Sequence, residues 1–484
     1  MATAQICATV TGQTMAELRT KRDQMVDADL VELRLDYVRD PDVAGALADR
    51  KLPVVVTCRP SWEGGHFNGS EEERKRLLGD AIRLGADFVD VEWGAGLDDL
   101  IATAKGQRIV LSTHDFEGVP ADLGARMAAM RSTGAEVVKL SVTAQRLSDC
   151  LVLLELGRTV TAPTVLIAMG EPGIPTRVLA ARFGSCWSYA GEGAAPGQIP
   201  AERLVRQFRF RDLSPRTALH GVVGRPVSHS LSPVMHNAAF SAAHQDSVYL
   251  PLAAADFGDF LTFADTMGIE GASVTAPFKV NAYESTSELD AVSRRIRSVN
   301  TLRRVDGGWA GCTTDVAGFL KPLEGAMPLK GKRATVLGAG GAARAVAEAL
   351  GSAGARVSIA ARRVEQARET AQITDAAFVP WPPRAGTWDV LVNATPVGTY
   401  PDTETTPLPD GPFSGDLVYD LVYNPVDTRL LRDARAAGCR TIGGLDMLVA
   451  QAELQFEWWT HLKPVEGVMH AAAAAVLSTH LGRS

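Results

Sequence analysis

Between residues 6 and 190 the chain repeats one pattern: short apolar, β-branched runs at 6–10, 30–35, 54–58, 88–92, 109–113, 137–142, 164–169 and 186–190. Helix-like stretches such as 71–84 and 121–132 fill most of the gaps, so the reading is strand then helix, eight times over. Eight such units in about 200 residues predict a closed (β/α)8 barrel, with a doubly wound sheet as the competing arrangement. Around 211–217 the pattern breaks with Asp212, Ser214 and Pro215, a composition suited to a surface linker, which puts a boundary near 214. A new strand-like run follows at 218–223. From Arg333 an apolar strand enters a Gly-rich turn and an Ala-rich helix, the opening of a nucleotide-binding unit. No repeat relates the two halves, and helix propensity accounts for the alanine tract at 471–475.

Composition narrows the picture. At roughly 150 residues per domain, 484 residues predict about three domains. Lys and Arg number 49 against 56 Asp and Glu, a formal charge of −7, which argues against nucleic acid as the main partner. No apolar run reaches the length of a membrane span, and residues 1–10 lack the features of a secretory signal, so a soluble, cytoplasmic protein with no membrane partner is expected. The six cysteines lie far apart without a C-x-x-C pair and read as buried thiols. His229, His236 and His244, spaced seven and eight apart, have no interleaved carboxylates, so no metal is predicted.

In a (β/α)8 barrel, chemistry gathers where the strands end. Glu32, Arg34 and Asp36 share one face of strand two by their period-two spacing, and await either a polar ligand or one another as an internal ion-pair ladder. Strand three ends in Thr57-Cys58-Arg59, followed by Glu63-Gly64-Gly65, and strand five ends in Ser112-Thr113-His114-Asp115. Lys139 stands inside the apolar strand six. A lysine there is desolvated or paired, and desolvation favours the neutral amine that attacks a carbonyl. With His114 as proton carrier and Glu63 to orient it, the set points to imine chemistry with general acid/base assistance, and Arg59 and Arg177 point to an anionic, carboxylate-bearing substrate.

In the second half, Gly338, Gly340, Gly341 and Ala342 follow a strand and open a helix, the context in which a pyrophosphate approaches a helix N-terminus. Some 20 residues on, where an NAD unit carries an acidic residue, the chain reads Ala361-Arg362-Arg363. That favours NADP, unless the two arginines form only a solvated basic turn. Upstream, short polar motifs sit in apolar sequence: Ser228-His229-Ser230-Leu231-Ser232-Pro233, Val274-Thr275-Ala276-Pro277-Phe278-Lys279, Ser298-Val299-Asn300-Thr301 and Thr313-Thr314-Asp315. They supply hydroxyl and amide donors for a polyhydroxylated acid, with Lys279 and Asp315 as a proton relay at its carbonyl.

These motifs are familiar. Glu32-Leu33-Arg34-Leu35-Asp36, Arg59 with Glu63-Gly64-Gly65, Ser112-Thr113-His114-Asp115-Phe116, Lys139, Met169-Gly170, Arg177, Phe183-Gly184-Ser185 and Ala195-Pro196-Gly197-Gln198 resemble type I 3-dehydroquinate dehydratase over about 1 to 210. The resemblance implies that Lys139 forms an iminium with the substrate ketone while His114, paired with Glu63, moves the protons. It also implies that Glu32, Arg34, Arg59, Arg177 and Gln198, with Thr9, hold the carboxylate and hydroxyls. Ala194 and Val119 depart from the common serine and threonine. Residues from about 218 to 484 resemble shikimate dehydrogenase, which further matches Asn393-Ala394-Thr395-Pro396, Asp420-Leu421-Val422-Tyr423-Asn424-Pro425 and Gly443-Gly444-Leu445-Asp446-Met447-Leu448. That implies Ser230, Ser232, Thr275, Asn300, Tyr423 and Gln451 at the substrate, Lys279 and Asp315 as the catalytic pair, and Leu421 and Gly444 at the nicotinamide side. Ser273 and Thr313 stand where asparagine is common, as does Ala361 in the cofactor turn.

The implied organisation is a barrel over 1–213, a substrate-binding domain over 218–320 plus 444–484, and an NADP-binding Rossmann domain over 321–443. The implied reactions are consecutive, since dehydration of 3-dehydroquinate gives the 3-dehydroshikimate that is reduced to shikimate. Other readings at this point are an NAD-dependent quinate enzyme, a class I aldolase built on Lys139, and a metabolite-sensing regulator without catalysis.

Overall fold

The fold is that of a computed structural model, which describes residues 3–409, 411 and 413–481. The chain divides into two compact units, one formed by Met1–Thr217 with Leu250–Gly268, the other by Ala218–Tyr249 with Ile269–Ser484.

In the first unit, strands β1 (Gln5–Val10), β2 (Leu30–Arg34), β3 (Val54–Thr57), β4 (Phe88–Glu92), β5 (Ile109–Asp115), β6 (Val137–Thr143), β7 (Thr164–Met169) and β8 (Trp187–Ala190) alternate with helices α1 (Met15–Asp23), α2 (Val43–Leu47), α3 (Glu71–Arg83), α4 (Asp98–Thr103), α5 (Leu123–Ser132), α6 (Asp149–Thr159), α7 (Ile174–Val178) and α8 (Ala201–Arg206). The strands pair in parallel in the order β7-β6-β5-β4-β3-β2-β1-β8. At the remaining seam the Cys186 amide donates to the Thr164 carbonyl (2.8 Å) and the Ser185 hydroxyl accepts from the Leu166 amide (2.9 Å), so the barrel is nearly closed, partly through a side chain. The expected (β/α)8 architecture is what the chain adopts, and the doubly wound alternative falls for this half.

The strand sequences are apolar because parallel strands covered by helices are buried on both faces. Inside the barrel Cys7, Leu30, Val55, Val110, Val137, Val165 and Trp187 belong to one apolar cluster. Two residues further along the same strands stand Thr9, Glu32, Thr57, Ser112, Lys139, Ile167 and Tyr189. The two-residue period of a strand thus stacks a layer that is polar except at Ile167 directly above an apolar floor. One sequence expectation needs correcting: β2 ends at Arg34, and Asp36 lies in a 3-10 turn, Leu35–Tyr37, rather than on the strand face. α10 (Phe257–Met267), described below in chain order, also belongs to this unit, with the Asp259 carboxylate accepting from the Leu147 and Ser148 amides (2.9 Å each).

The elements that follow are β9 (Ala218–Gly224), α9 (Ser232–Ala242), β10 (Ser247–Ala253), α10, β11 (Ile269–Val274), α11 (Lys279–Glu284), β12 (Glu288–Leu289), α12 (Ala291–Ile296), β13 (Thr301–Val305), β14 (Gly308–Cys312) and α13 (Asp315–Leu320). In the second unit β11 runs parallel to β9 and antiparallel to β13, which turns back into β14. A second sheet is built from β15 (Arg333–Leu337), α14 (Gly341–Ser352), β16 (Arg356–Ala360), α15 (Val364–Ile373), β17 (Ala377–Phe378), β18 (Val390–Asn393), β19 (Leu417–Asp420), α16 (Arg429–Ala436) and β20 (Arg440–Ile442). Its order, β17-β16-β15-β18-β19-β20 and all parallel, is the doubly wound dinucleotide-binding order. The strand order reverses between β15 and β18, and ligands bind in such sheets at that crevice, beyond the strand ends. The last helices, α17 (Gly444–Thr460) and α18 (Val468–Leu481), leave this sheet and pack on α9, α17 also on α13.

Candidate active sites

In the barrel a cavity of about 170 Å³ opens above the polar layer, lined by Glu32, Arg34, Arg59, Glu63, His114, Lys139, Tyr189, Arg177 and Gln198 among others. The barrel residues expected to act on the substrate lie here except Thr9, while Asp36 lines a different hollow. The Thr9 hydroxyl donates to Glu32 (3.0 Å) and accepts from the Gln198 amide (3.3 Å), beside the lining.

The Lys139 amine is paired rather than isolated. Asp90 Oδ2 lies 3.4 Å away, Glu32 Oε1 4.0 Å away, and Nζ sits 4.1 Å from the centre of the Tyr189 ring. Arg34 is held bidentately by Asp36, at 2.9 and 2.7 Å, which realises the internal ion-pair alternative for that arginine. Arg59 bridges Asp90 (2.9 Å) and Glu92 (3.1 Å). Against burial, which raises it, Arg59 and Lys139 hold the Asp90 carboxyl well below the usual carboxylate range.

Arg177 differs from these. It is buried, its Nη atoms donate only to the Tyr189 and Pro196 carbonyls (3.2 Å each), and its Nε has no hydrogen-bond partner. Among the described residues no carboxylate pairs with it, and burial pushes its pKa down to about 10. A desolvated guanidinium without a counter-charge is costly unless a ligand brings one, and a carboxylate matches its fork.

His114 Nδ1 lies 2.7 Å from Glu63 Oε2. Burial, helped by the cations Arg59, Lys139 and Arg34, drives the imidazole well below its ordinary pKa, so the ring is neutral. Glu63 is pushed up to about 7, chiefly by burial, with Glu92 and Asp90 adding to the rise and Arg59 opposing it. A carboxylate at Glu63 accepts the Nδ1 proton and leaves Nε2 as a base. The Gln198 side chain is held through its Oε1 by the backbone amides of Ala194 and Ala195 (3.2 Å each), so the missing hydroxyl at residue 194 does not cost that anchor. Asp90, Glu92 and Tyr189 were not singled out as functional from sequence. The period-two pair Asp90 and Glu92 in an apolar strand carried the same signal as Glu32 and Arg34.

The second unit has two joined cavities. The smaller, about 170 Å³, is lined by Ser230, Ser232, Thr275, Lys279, Asn300, Asp315, Leu421, Tyr423, Gly444 and Gln451, with Ser273, Met447 and Gln455 beside them. The larger, about 850 Å³, is lined by Gly338, Gly340, Gly341, Ala342, Arg362 and Arg363 among others, and shares Thr275, Lys279 and Ala342 with the first. Lys279 opens α11 and Asp315 opens α13, and the two are ion-paired. The Val299 amide donates to the Lys279 carbonyl (3.0 Å), and the Asn300 amide Nδ2 donates to Asp315 Oδ1 (2.7 Å), which ties the pair to the start of β13.

The larger cleft lies at the β15–β18 switch point. Gly338 has φ +118°, and a Cβ there would meet the Ala394 carbonyl at 3.0 Å, while a Cβ on Gly340 would meet nothing within 4 Å and would stand in the cleft itself. α14 presents its free N–H groups to this space. Arg362 and Arg363 are exposed at its far side, with no carboxylate paired to either among the described residues. The residues present therefore fit a dinucleotide with a 2′-phosphate. Gln455, missed from sequence, lies one turn beyond Gln451 on α17, an i, i+4 spacing that was there to be read.

Fold and sites together define a chain that joins an amine-bearing (β/α)8 barrel to a dinucleotide-dependent oxidoreductase. Residues 6–215 match the type I 3-dehydroquinase family, 222–302 the shikimate dehydrogenase substrate binding domain and 444–474 the shikimate 5′-dehydrogenase C-terminal domain. The chain is 34% identical, over 94% of its length and 82% of the relative's, to the chloroplastic bifunctional 3-dehydroquinate dehydratase/shikimate dehydrogenase of Arabidopsis thaliana. It therefore belongs to the bifunctional 3-dehydroquinate dehydratase/shikimate dehydrogenase family. The NADP(+)-dependent shikimate dehydrogenase of Moorella thermoacetica is 43% identical over 52% of this chain and 91% of its own. A crystal structure of a shikimate dehydrogenase in complex with NADP+ superimposes with a TM-score of 0.50 at 33% identity, covering 55% of this chain and 97% of that one. Among the described residues no helix is long and apolar enough to cross a membrane.

Proposed function

We propose that this chain dehydrates 3-dehydroquinate to 3-dehydroshikimate in the barrel and reduces 3-dehydroshikimate to shikimate, with NADPH, in the second unit. The observation that carries the reading is Arg177, a buried guanidinium with no carboxylate paired to it among the described residues, opening on the same cavity as the Lys139 amine and the His114–Glu63 pair. That cavity suits a substrate with both a carboxylate and a ketone. Lys139 Nζ adds to the ketone and expels water, giving an iminium that acts as electron sink. His114 Nε2 takes the α-proton, and the resulting enamine expels the β-hydroxyl, which leaves as water with the proton from His114. Hydrolysis frees the amine. Glu32, Arg34, Arg59 and Gln198 orient the ring, and Thr9 supports Glu32 and Gln198 from behind.

In the second unit Ser230, Ser232, Thr275, Asn300, Tyr423 and Gln451 hold shikimate's hydroxyls and carboxylate, and Lys279, oriented by Asp315, gives the proton to the carbonyl oxygen. Bound NADPH supplies the hydride. Gly338, Gly340, Gly341 and Ala342 fit its pyrophosphate, Arg362 and Arg363 its 2′-phosphate, and Leu421 and Gly444 the nicotinamide side. The proposal includes domains at 1–213, 218–320 plus 444–484, and 321–443, and a cytoplasmic location, with which six free thiols are consistent.

The test is to add 3-dehydroquinate to the purified protein, follow the ultraviolet absorbance of the conjugated enone, then add NADPH. Enone formation followed by NADPH oxidation is expected. Enone without NADPH oxidation overturns the second assignment, and no enone overturns the first.

The pH dependence of the first step is also fixed in sign. Below about 7 Glu63 is protonated and donates to Nδ1, so the proton sits on Nε2 and the base is lost; above it the Nε2 lone pair is free. Dehydratase kcat/KM should rise with pH through about 7, and Glu63→Gln should remove that limb. A limb unchanged in Glu63→Gln contradicts the assignment.

A further inference from the structure

A chain of buried hydrogen bonds runs from Tyr249, at β10, to Asp315, and its directions can be deduced without seeing a hydrogen. The Thr314 amide can only donate, so the Asn300 atom facing it at 2.9 Å is the carbonyl Oδ1, and Nδ2 faces Asp315. The Asn300 main-chain carbonyl can only accept, so the Gln455 atom facing it at 3.3 Å is Nε2, and Oε1 faces Ser273. Ser273 must then donate to Gln455 (2.7 Å) and accept from the Tyr249 phenol (2.6 Å). Gln455 Nε2 also donates to Thr301 Oγ1 (3.0 Å), whose hydroxyl donates to Asn300 Oδ1 (2.7 Å). Every bond therefore points the same way, Tyr249 to Ser273 to Gln455 to Thr301 to Asn300 to Asp315, and ends on the carboxylate paired with Lys279.

We propose that Tyr249, Ser273 and Gln455 are positioning residues of the dehydrogenase site: a one-way relay that, together with the Thr314 amide, holds Asn300 in place and so the carboxylate that orients Lys279. The inference rests on the reduction assigned above. Members of a polarised chain strengthen one another, so breaking one bond weakens those that remain. Ser273 stands in the middle, its hydroxyl accepting from the Tyr249 phenol and donating to Gln455 Oε1.

The test compares wild type, Ser273→Ala, Tyr249→Phe, the double variant and Ser273→Thr in the reduction of supplied 3-dehydroshikimate by NADPH. Ser273→Ala should lower kcat about tenfold, the order expected for one buried hydrogen bond, with the NADPH dissociation constant unchanged. Tyr249→Phe should lower it less. The double variant should fall no further than Ser273→Ala, because a chain broken twice is still one broken chain. Ser273→Thr, which keeps the hydroxyl, should restore most of the rate. Effects that multiply in the double variant, a loss confined to KM, or an Ser273→Ala enzyme within twofold of wild type would overturn the relay. A wild-type protein that does not reduce 3-dehydroshikimate would instead overturn the assigned reaction, and the relay with it.

Discussion

Lys139→Ala is expected to lower dehydratase turnover on the order of 10⁴-fold or more, because no other group in the barrel cavity can form the iminium that makes the α-proton acidic. The protein should remain folded. Asp90, which loses its lysine, keeps the Arg59 guanidinium at 2.9 Å and the Ser112 hydroxyl at 2.6 Å, so no buried carboxylate is left without a partner. Glu32 keeps the hydroxyls of Thr9 and Thr57, at 3.0 and 2.9 Å. Reduction of supplied 3-dehydroshikimate should be unchanged. In wild type, borohydride added with substrate should leave a mass adduct on Lys139, and the variant should show none. A Lys139→Ala protein that retained turnover would remove covalent catalysis from the account and return the barrel to simple acid/base elimination.

The converse variant, Lys279→Met, should lower the rate of ketone reduction by about 10² to 10⁴, the range of a lost general acid. Methionine keeps the length of the stem. Asp315 retains its bond from Asn300 at 2.7 Å, so its setting persists without the lysine. The cofactor contacts assigned to the glycine turn and to Arg362 and Arg363 are untouched, so NADPH binding should persist and the loss should fall in kcat. Dehydratase activity should be that of wild type. A loss expressed only as weaker NADPH binding would make Lys279 a cofactor contact rather than the proton donor.

Much of this architecture was written locally. Each barrel strand is an apolar run of one element, and the two-residue period that stacks Cys7 under Thr9, Leu30 under Glu32 and Val137 under Lys139 needs no knowledge of neighbours. The Gly-rich turn after β15 is legible for the same reason, since strand, glycines and helix are contiguous. What escaped depends on which strands become neighbours. Arg59 on the β3 loop meets Asp90 and Glu92 because β4 lies beside β3, and nothing in either strand alone says that Asp90 will also meet Lys139 from β6. Likewise Arg34 and Arg177 look alike in sequence, yet one is clasped by Asp36 and the other, among the described residues, has only carbonyls. The Tyr249–Ser273–Gln455 chain joins residues up to 182 positions apart, and a serine or glutamine in a buried element declares no direction until its partners are in place.

On this assignment one chain houses two consecutive reactions, one in the barrel cavity and one in the second unit. Equal amounts of Lys139→Ala and Lys279→Met protein, mixed with 3-dehydroquinate and NADPH, test it most directly. Each variant alone should oxidise almost no NADPH, the first for want of enone and the second for want of reduction. Together they should consume NADPH and yield shikimate, because each supplies the cavity the other lacks. A mixture as silent as its components, with both proteins folded, would contradict the assignment of one reaction to each cavity.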